Sequence, residues 1–181
     1  MSIAPKLPAG PLVLHPFGPR HLTETYVCWL NDPNVVRFSE QRHRQHSMDS
    51  CRAFVSSFSS GPNLLWAIET SDDGQHIGNI TATIDLHNKI ADIGIMIGPA
   101  HARGKGYGRH AWAAALNHLC ARDDLRKVTG GCLAANTAMV QVMRACGMSE
   151  DGFRPDHFLV EGHPTSILYF SKPGKWAIAP V

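Results

Sequence analysis

Gly104, Gly106 and Gly108 alternate with Arg103, Lys105 and Tyr107 directly before an apolar stripe at helical spacing. Glycine lets the backbone turn tightly and approach a ligand, and a helix start offers unpaired N–H groups at the positive end of its dipole. Together these make an anion site. No carboxylate lies between Asp92 and Asp123, whereas Arg103, Lys105, Arg109 and Arg122 do, so the local field favours phosphate although the formal net charge is only +2. Glycine spacing alone suits a plain structural turn equally well. Lys105 is followed by Gly106, not by a hydroxyl residue, which excludes a P-loop; Gly-x-Gly-x-Gly after several strands is not the dinucleotide fingerprint. Candidate bases are Glu40, in the loop between the first two helices, and Asp85 and Asp92, on the meander strands. His43 and His46 form the close pair among 11 histidines, with no cysteine or carboxylate at a ligand spacing, so no metal site is expected.

The elements that must position these residues follow from periodicity. Leu12-Val13-Leu14 reads as a strand that opens the sheet, and His21 to Leu30 as a helix through Leu22, Tyr26, Trp29 and Leu30. Ser47 caps a second helix through Cys51, Phe54, Val55 and Phe58, with the Trp29 and Phe54 stripes assigned to the core and residues 37–46 to a loop. Leu64 to Glu69, Ile77 to Ile84 and Ile90 to Ile97 form a strand meander; Arg109 to Arg122 is a helix, Lys127 to Leu133 a strand, and Asn136 to Cys146 a capped helix stopped by Gly147. Phe158 to Val160 and Ser166 to Phe170 close the chain as strands. The order predicts a mixed α/β domain over residues 1–181, with a core from about 12 to 170 and no internal repeat or linker. Composition agrees: 44% hydrophobic residues can build a core, and 17 basic against 15 acidic residues disfavour a nucleic-acid-coating protein. Five cysteines without a Cys-x-x-Cys pair, and no long apolar run behind Met1 to Lys6, point to a reducing cytoplasm and no membrane partner.

Arg103-Gly104-Lys105-Gly106-Tyr107-Gly108 satisfies the Gln/Arg-x-x-Gly-x-Gly/Ala motif of the GNAT acyltransferases, which the chain resembles from Leu12 to about Phe170. Trp29-Leu30-Asn31-Asp32-Pro33, Ile77-Gly78-Asn79-Ile80, Ile93 to Gly98, Asn136 and Gly147-Met148 make it most similar to the branch holding ribosomal-protein N-terminal acetyltransferases and bacterial amino-sugar acetyltransferases. The resemblance implies a twisted, mostly antiparallel mixed sheet of about seven strands flanked by about four helices. It implies acetyl-CoA as cosubstrate, its pyrophosphate on the backbone of Arg103, Gly104, Lys105, Gly106, Tyr107 and Gly108. Its pantetheine would pair with the exposed main chain of Ile95 and Ile97, with Asn136 facing it, and a main-chain N–H near Met96 or Ile97 would polarise the carbonyl. The tyrosine that many members use to protonate the departing thiolate falls at Met143 here, and the serine common three residues after the asparagine falls at Met139.

Transfer to an amine needs a neutral nitrogen, a polarised carbonyl and a thiolate able to leave. A lysine-like amine costs roughly 4–5 kcal/mol to neutralise at pH 7 and an α-amine only about 1. Asp92 and Glu40 are the catalytic candidates, and Glu40, Arg42 and His43 the candidates for substrate contact. No cysteine lies in an activated context, so direct transfer in a ternary complex is expected. The Arg42-His43-Arg44 loop favours an amino sugar or sugar nucleotide as acceptor over a protein N-terminus, for which Asp151, Asp156 and Glu161 could supply an acidic groove. A non-catalytic acyl-CoA-binding module is the rival reading, supported by Met143. The expected partners are a small amine or a protein N-terminus, with assembly extending as far as a homodimer.

Overall fold

The computed structural model describes residues 4–176; Met1 to Ile3 of the opening segment lie outside the described residues. The sheet opens earlier than Leu12, with β1 (Leu7–Ala9) turning at Gly10, φ +64°, into β2 (Leu12–Pro16). Pro5, Pro8 and Pro11 hide β1 in the sequence, but an edge strand tolerates prolines because one side of its ladder is unpaired. A 3-10 turn at Pro19–His21 delays the first helix, so α1 (Glu24–Asn31) starts three residues later than its stripe suggests, at a Thr23 hydroxyl that accepts from the Tyr26 N–H at 3.2 Å. Asp32 then caps the short α2 (Pro33–Val36). The expected loop contains a 3-10 turn at Glu40–His43, capped by Ser39. Next comes α3 (Met48–Ser56), whose Ser47 and Ser50 exchange side-chain and backbone hydrogen bonds in a capping box.

The meander is β3 (Leu64–Thr70), β4 (His76–Asp85) and β5 (Ile90–Ile97), followed by α4 (Tyr107–Cys120), β6 (Lys127–Leu133) and α5 (Thr137–Ala145). The last two strands are far longer than their apolar centres: β7 (Ser149–Val160) and β8 (His163–Pro173) form a hairpin whose Glu161 and Gly162 both have positive φ. The eight strands form one sheet in the order β1-β2-β3-β4-β5-β6-β8-β7, antiparallel except for β5–β6. This is the mixed, mostly antiparallel α/β fold expected, with eight strands rather than about seven and five α-helices rather than about four.

Two cores cover the two faces. Trp112, Leu116 and Leu119 of α4 and Met143 of α5 pack with Trp66, Ile80, Ile93 and Phe170 on one face. On the other, Tyr26, Val27 and Trp29 of α1 meet Cys51 of α3 and Met96 of β5. Phe54 is not core: it stays 43% exposed and packs edge-on against Phe58 at the surface. Among the described residues no helix is long and apolar enough to cross a membrane.

Candidate functional site

Strands β5 and β6 diverge. Their parallel ladder holds only from Ile90↔Lys127 to Asp92↔Thr129, after which β5 continues along β4 and β6 along β8. The Gly98 N–H donates to Ile77 O at 2.9 Å, which fixes the antiparallel alternation: Met96 pairs with Asn79 by hydrogen bonds, while the main-chain groups of Ile95 and Ile97 point away from β4 into the opening. They meet no strand there. Met96, the expected donor to the carbonyl beside Ile97, turns its backbone to β4 and its side chain to the Tyr26–Trp29 cluster.

The opening holds a cavity of about 300 Å³. Ile93, Ile95, Trp112, Met139 and Met143 close it on the α4–α5 face; Phe38, Ser39 and Glu40 cover it from the other, and Phe158 and Ile167 close its side. Gly94 and Gly131 leave the strand walls bare towards Glu40. The apolar members carry no sequence signal beyond hydrophobicity, because they come from strands and turns far apart in the chain. A smaller hollow of about 150 Å³ lies between the β3–β4 turn and Lys105 and Tyr107. There Asp73 is already occupied by Thr70 and Gln75.

Beyond β5 the chain makes a 3-10 turn at Ala100–Ala102, and Gly104 and Gly106 take positive φ, +73° and +79°. Gly106 is the N-cap of α4; no side chain caps it and no acidic residue lies in the first turn. Gly106 O accepts from Arg109 and His110, so the N–H groups of Tyr107 and Gly108 face outward. A Cβ at 104, 106 or 108 would meet nothing within 4 Å, an open cradle of backbone donors beside Lys105. Arg103 faces elsewhere: its guanidinium donates to Gly98 O at 2.7 Å and reaches Asn34 O at 3.4 Å, bracing the loop against α2.

Asn136 lines the cavity and also caps α5, accepting from Met139 N–H at 3.2 Å. Glu40 lines the mouth with one carboxylate oxygen on Arg42 at 2.8 Å. Arg42 is only 13% exposed and donates to Ser39 O at 2.8 Å and Leu159 O at 3.0 Å, so it clasps the Glu40 turn to β7. His43 stays exposed, 3.9 Å from Glu40. Asp92 lies below Gly94 on the same face, outside the cavity lining, and accepts from Thr129 Oγ1 at 2.7 Å. Part of the residue reaches solvent, yet the sheet desolvates the carboxylate enough to raise its pKa, against the opposing pull of Thr129. Asp85 is taken up by Asn88 in a turn. Cys132, in the cavity wall, has its thiol pushed up to about 11 by burial. Among the described residues no group of three or more His, Cys, Asp or Glu is arranged to hold a metal.

Residues 11–149 match the family model described as an acetyltransferase (GNAT) domain. No curated protein matches the chain by sequence. Among solved structures the fold is similar to spermidine N-acetyltransferase from Vibrio cholerae in complex with CoA and spermine, at 20% identity over 90% of this chain and 95% of that one, with a TM-score of 0.79. It is similar to RimL, a ribosomal L7/L12 alpha-N-protein acetyltransferase in complex with coenzyme A, at 17% identity over 94% and 98%, TM-score 0.80. The Microcin C7 self-immunity acetyltransferase MccE, in complex with acetyl-CoA and AMP, matches at 17% identity over 91% and 93%, TM-score 0.76. At these identities the likeness is one of fold.

Proposed function

Because the chain belongs to the GNAT acetyltransferase family, we propose that it transfers an acetyl group from acetyl-CoA to a primary amine by direct attack in a ternary complex. The observation that carries this is the alignment of two unsatisfied backbone surfaces: the Ile95 and Ile97 main chain along the opening, and the uncapped start of α4 at its end. A phosphate-bearing chain with an amide-containing arm satisfies both.

The N–H groups of Tyr107 and Gly108, with Lys105 beside them, hold the pyrophosphate, and Ile95 and Ile97 pair with the pantetheine amides as a strand would. Bound there, acetyl-CoA supplies an activated thioester. An outward N–H of this stretch polarises its carbonyl, a role that falls to Ile95 or Ile97 and not to Met96. Glu40 meets the amine at the mouth, and Asp92, beyond direct reach, takes its proton through water. Met143 and Met139 leave no tyrosine or serine in the α5 wall, so the thiolate departs without a side-chain acid. That is feasible because a free thiol has a pKa of about 8.5. The Cys132 thiol, held protonated by burial, is a poor nucleophile, which supports transfer without an acetyl-enzyme. The amino-sugar nucleotide suggested by the 42–44 loop loses its main support, since Arg42 is spent on Ser39 and Leu159.

Calorimetric titration with acetyl-CoA, together with thiol release across an amine panel, tests the reading. Saturable binding and amine-dependent release are expected, both lost in Gly106→Trp, whose side chain would occupy the open cradle. Tight binding with no turnover would favour a non-catalytic acyl-CoA module; no binding would refute the assignment of the loop.

A further inference from the structure

We infer that the acceptor is a small primary amine with one positive charge on an apolar aryl or alkyl body, its ammonium group held by Glu40. The inference rests on the acetyl-transfer reading above and narrows its acceptor. Among the described residues the cavity is lined by no arginine, lysine or histidine, and Glu40 is its sole charged group. A phosphate placed here would meet a carboxylate and no cation. Arg42, the nearest guanidinium, already donates to Ser39 O and Leu159 O, and its ion pair occupies Glu40 Oε1. Glu40 Oε2 has only His43 near it, at 3.9 Å, and remains open to an ammonium group.

Few polar side chains remain: Ser39 Oγ accepts from Gln41 N–H and Asn136 Oδ1 from Met139 N–H, which leaves the Ser39 hydroxyl and the Asn136 amide as donors, so a sugar would bury several hydroxyls against few partners. A polyamine brings a second and third ammonium group, and no second carboxylate awaits them. What lies beside Glu40 is apolar: Phe38, Phe158, Ile167 and Leu133, over the bare backbone of Gly94 and Gly131. Such a wall favours an apolar body and penalises buried polar or charged groups. About 300 Å³, shared with the end of the pantetheine arm, leaves room for a small amine or for no more than the terminal residue of a polypeptide.

The test measures thiol release by the full chain at saturating acetyl-CoA with 2-phenylethylamine, hexylamine, glucosamine, a uridine-diphosphate amino sugar, spermidine and a serine-initiated peptide. kcat/KM for the first two should exceed the others by about tenfold or more. Glu40→Gln should raise the amine KM about tenfold, leaving the acetyl-CoA KM within about twofold, and Glu40→Asp should recover part of the loss. Phe158→Ser should erode the preference for phenylethylamine over glucosamine. Highest activity with the polyamine, either sugar or the peptide would overturn the inference, as would an amine KM indifferent to Glu40→Gln. Calorimetry and the panel separate the two layers: acetyl-CoA binding with turnover of another amine but of neither apolar one sinks this inference alone, whereas binding with no turnover at all, or no binding, sinks the acetyl-transfer reading with it.

Discussion

In the proposed reaction Asp92 and Glu40 divide between them what one carboxylate cannot do. Glu40 reaches the cavity but is tied to Arg42; Asp92 lies outside the lining, held by Thr129, with its pKa raised by the sheet around it. A base with a raised pKa loses function as pH falls through that value, so the acid limb of kcat should lie above the ordinary carboxylate range. Asp92→Asn should cut kcat by about 10²-fold, shift or abolish that limb, and leave the KM for acetyl-CoA nearly unchanged. A limb identical in wild type and variant would remove Asp92 from the mechanism. Both carboxylates were visible as residues in the sequence. The Arg42 partner of Glu40 is readable too, two residues away among flanking arginines, whereas the Thr129 partner of Asp92 is not, because it arrives only through the β5–β6 ladder. Met96 shows the same divide: its position in the strand is readable, but the direction of its N–H depends on the register with β4.

The element that matters most to the site is β5, whose end is locked by the first helix. A Cβ on Gly98 would stand 2.0 Å from the Trp29 ring, and one on Gly78 would stand 2.1 Å from Met96 O, so β5, β4 and α1 meet at backbone contact. Arg103 extends this lock by donating to Gly98 O, and the glycine loop therefore starts from a fixed point. Gly98→Ala should destabilise the fold by about 1–3 kcal/mol, the usual range for overpacking, and raise the acetyl-CoA KM through displacement of the loop. Denaturant unfolding and steady-state kinetics on one preparation would show both effects; a stable variant with an unchanged KM would argue against the lock. Strands β3, β5 and β6 and the caps of α3 and α5 were legible because alternation and capping are local properties. β1 and the full length of β7 and β8 were not, since prolines obscure the first and polar, exposed residues fill the others, whose extent is set by pairing.

Across the whole molecule, a buried cluster unrelated to the cavity makes stability depend on pH. Glu69 accepts from Arg20 at 2.7 Å and lies 2.6 Å from His21 Nε2; His21 Nδ1 takes the Gly18 N–H, so neutral His21 donates its Nε2 proton to Glu69. His76 packs on His21, Tyr26 and Trp29, and burial first, then repulsion from the charge His21 carries once protonated, lowers its pKa to about 4. Unfolded, this imidazole takes a proton near pH 6.5, so between pH 6.5 and 4 the unfolded chain binds more protons than the folded one. Stability is therefore full above pH 6.5 and falls as pH drops through that window, by at most about 3 kcal/mol from this group. His76→Gln should flatten the pH dependence of the urea midpoint there; an unaltered slope would assign acid sensitivity to other groups. The sequence alone determined the class of fold and the place of the open, uncapped start of α4, because strand alternation, helical stripes and a glycine-rich helix start are short-range patterns. The tertiary structure decided the divergence of β5 from β6, the orientation of each N–H along it, and the apolar, singly charged cavity. Those depend on register and on residues as distant as Glu40 and Phe158, whose proximity no local pattern encodes.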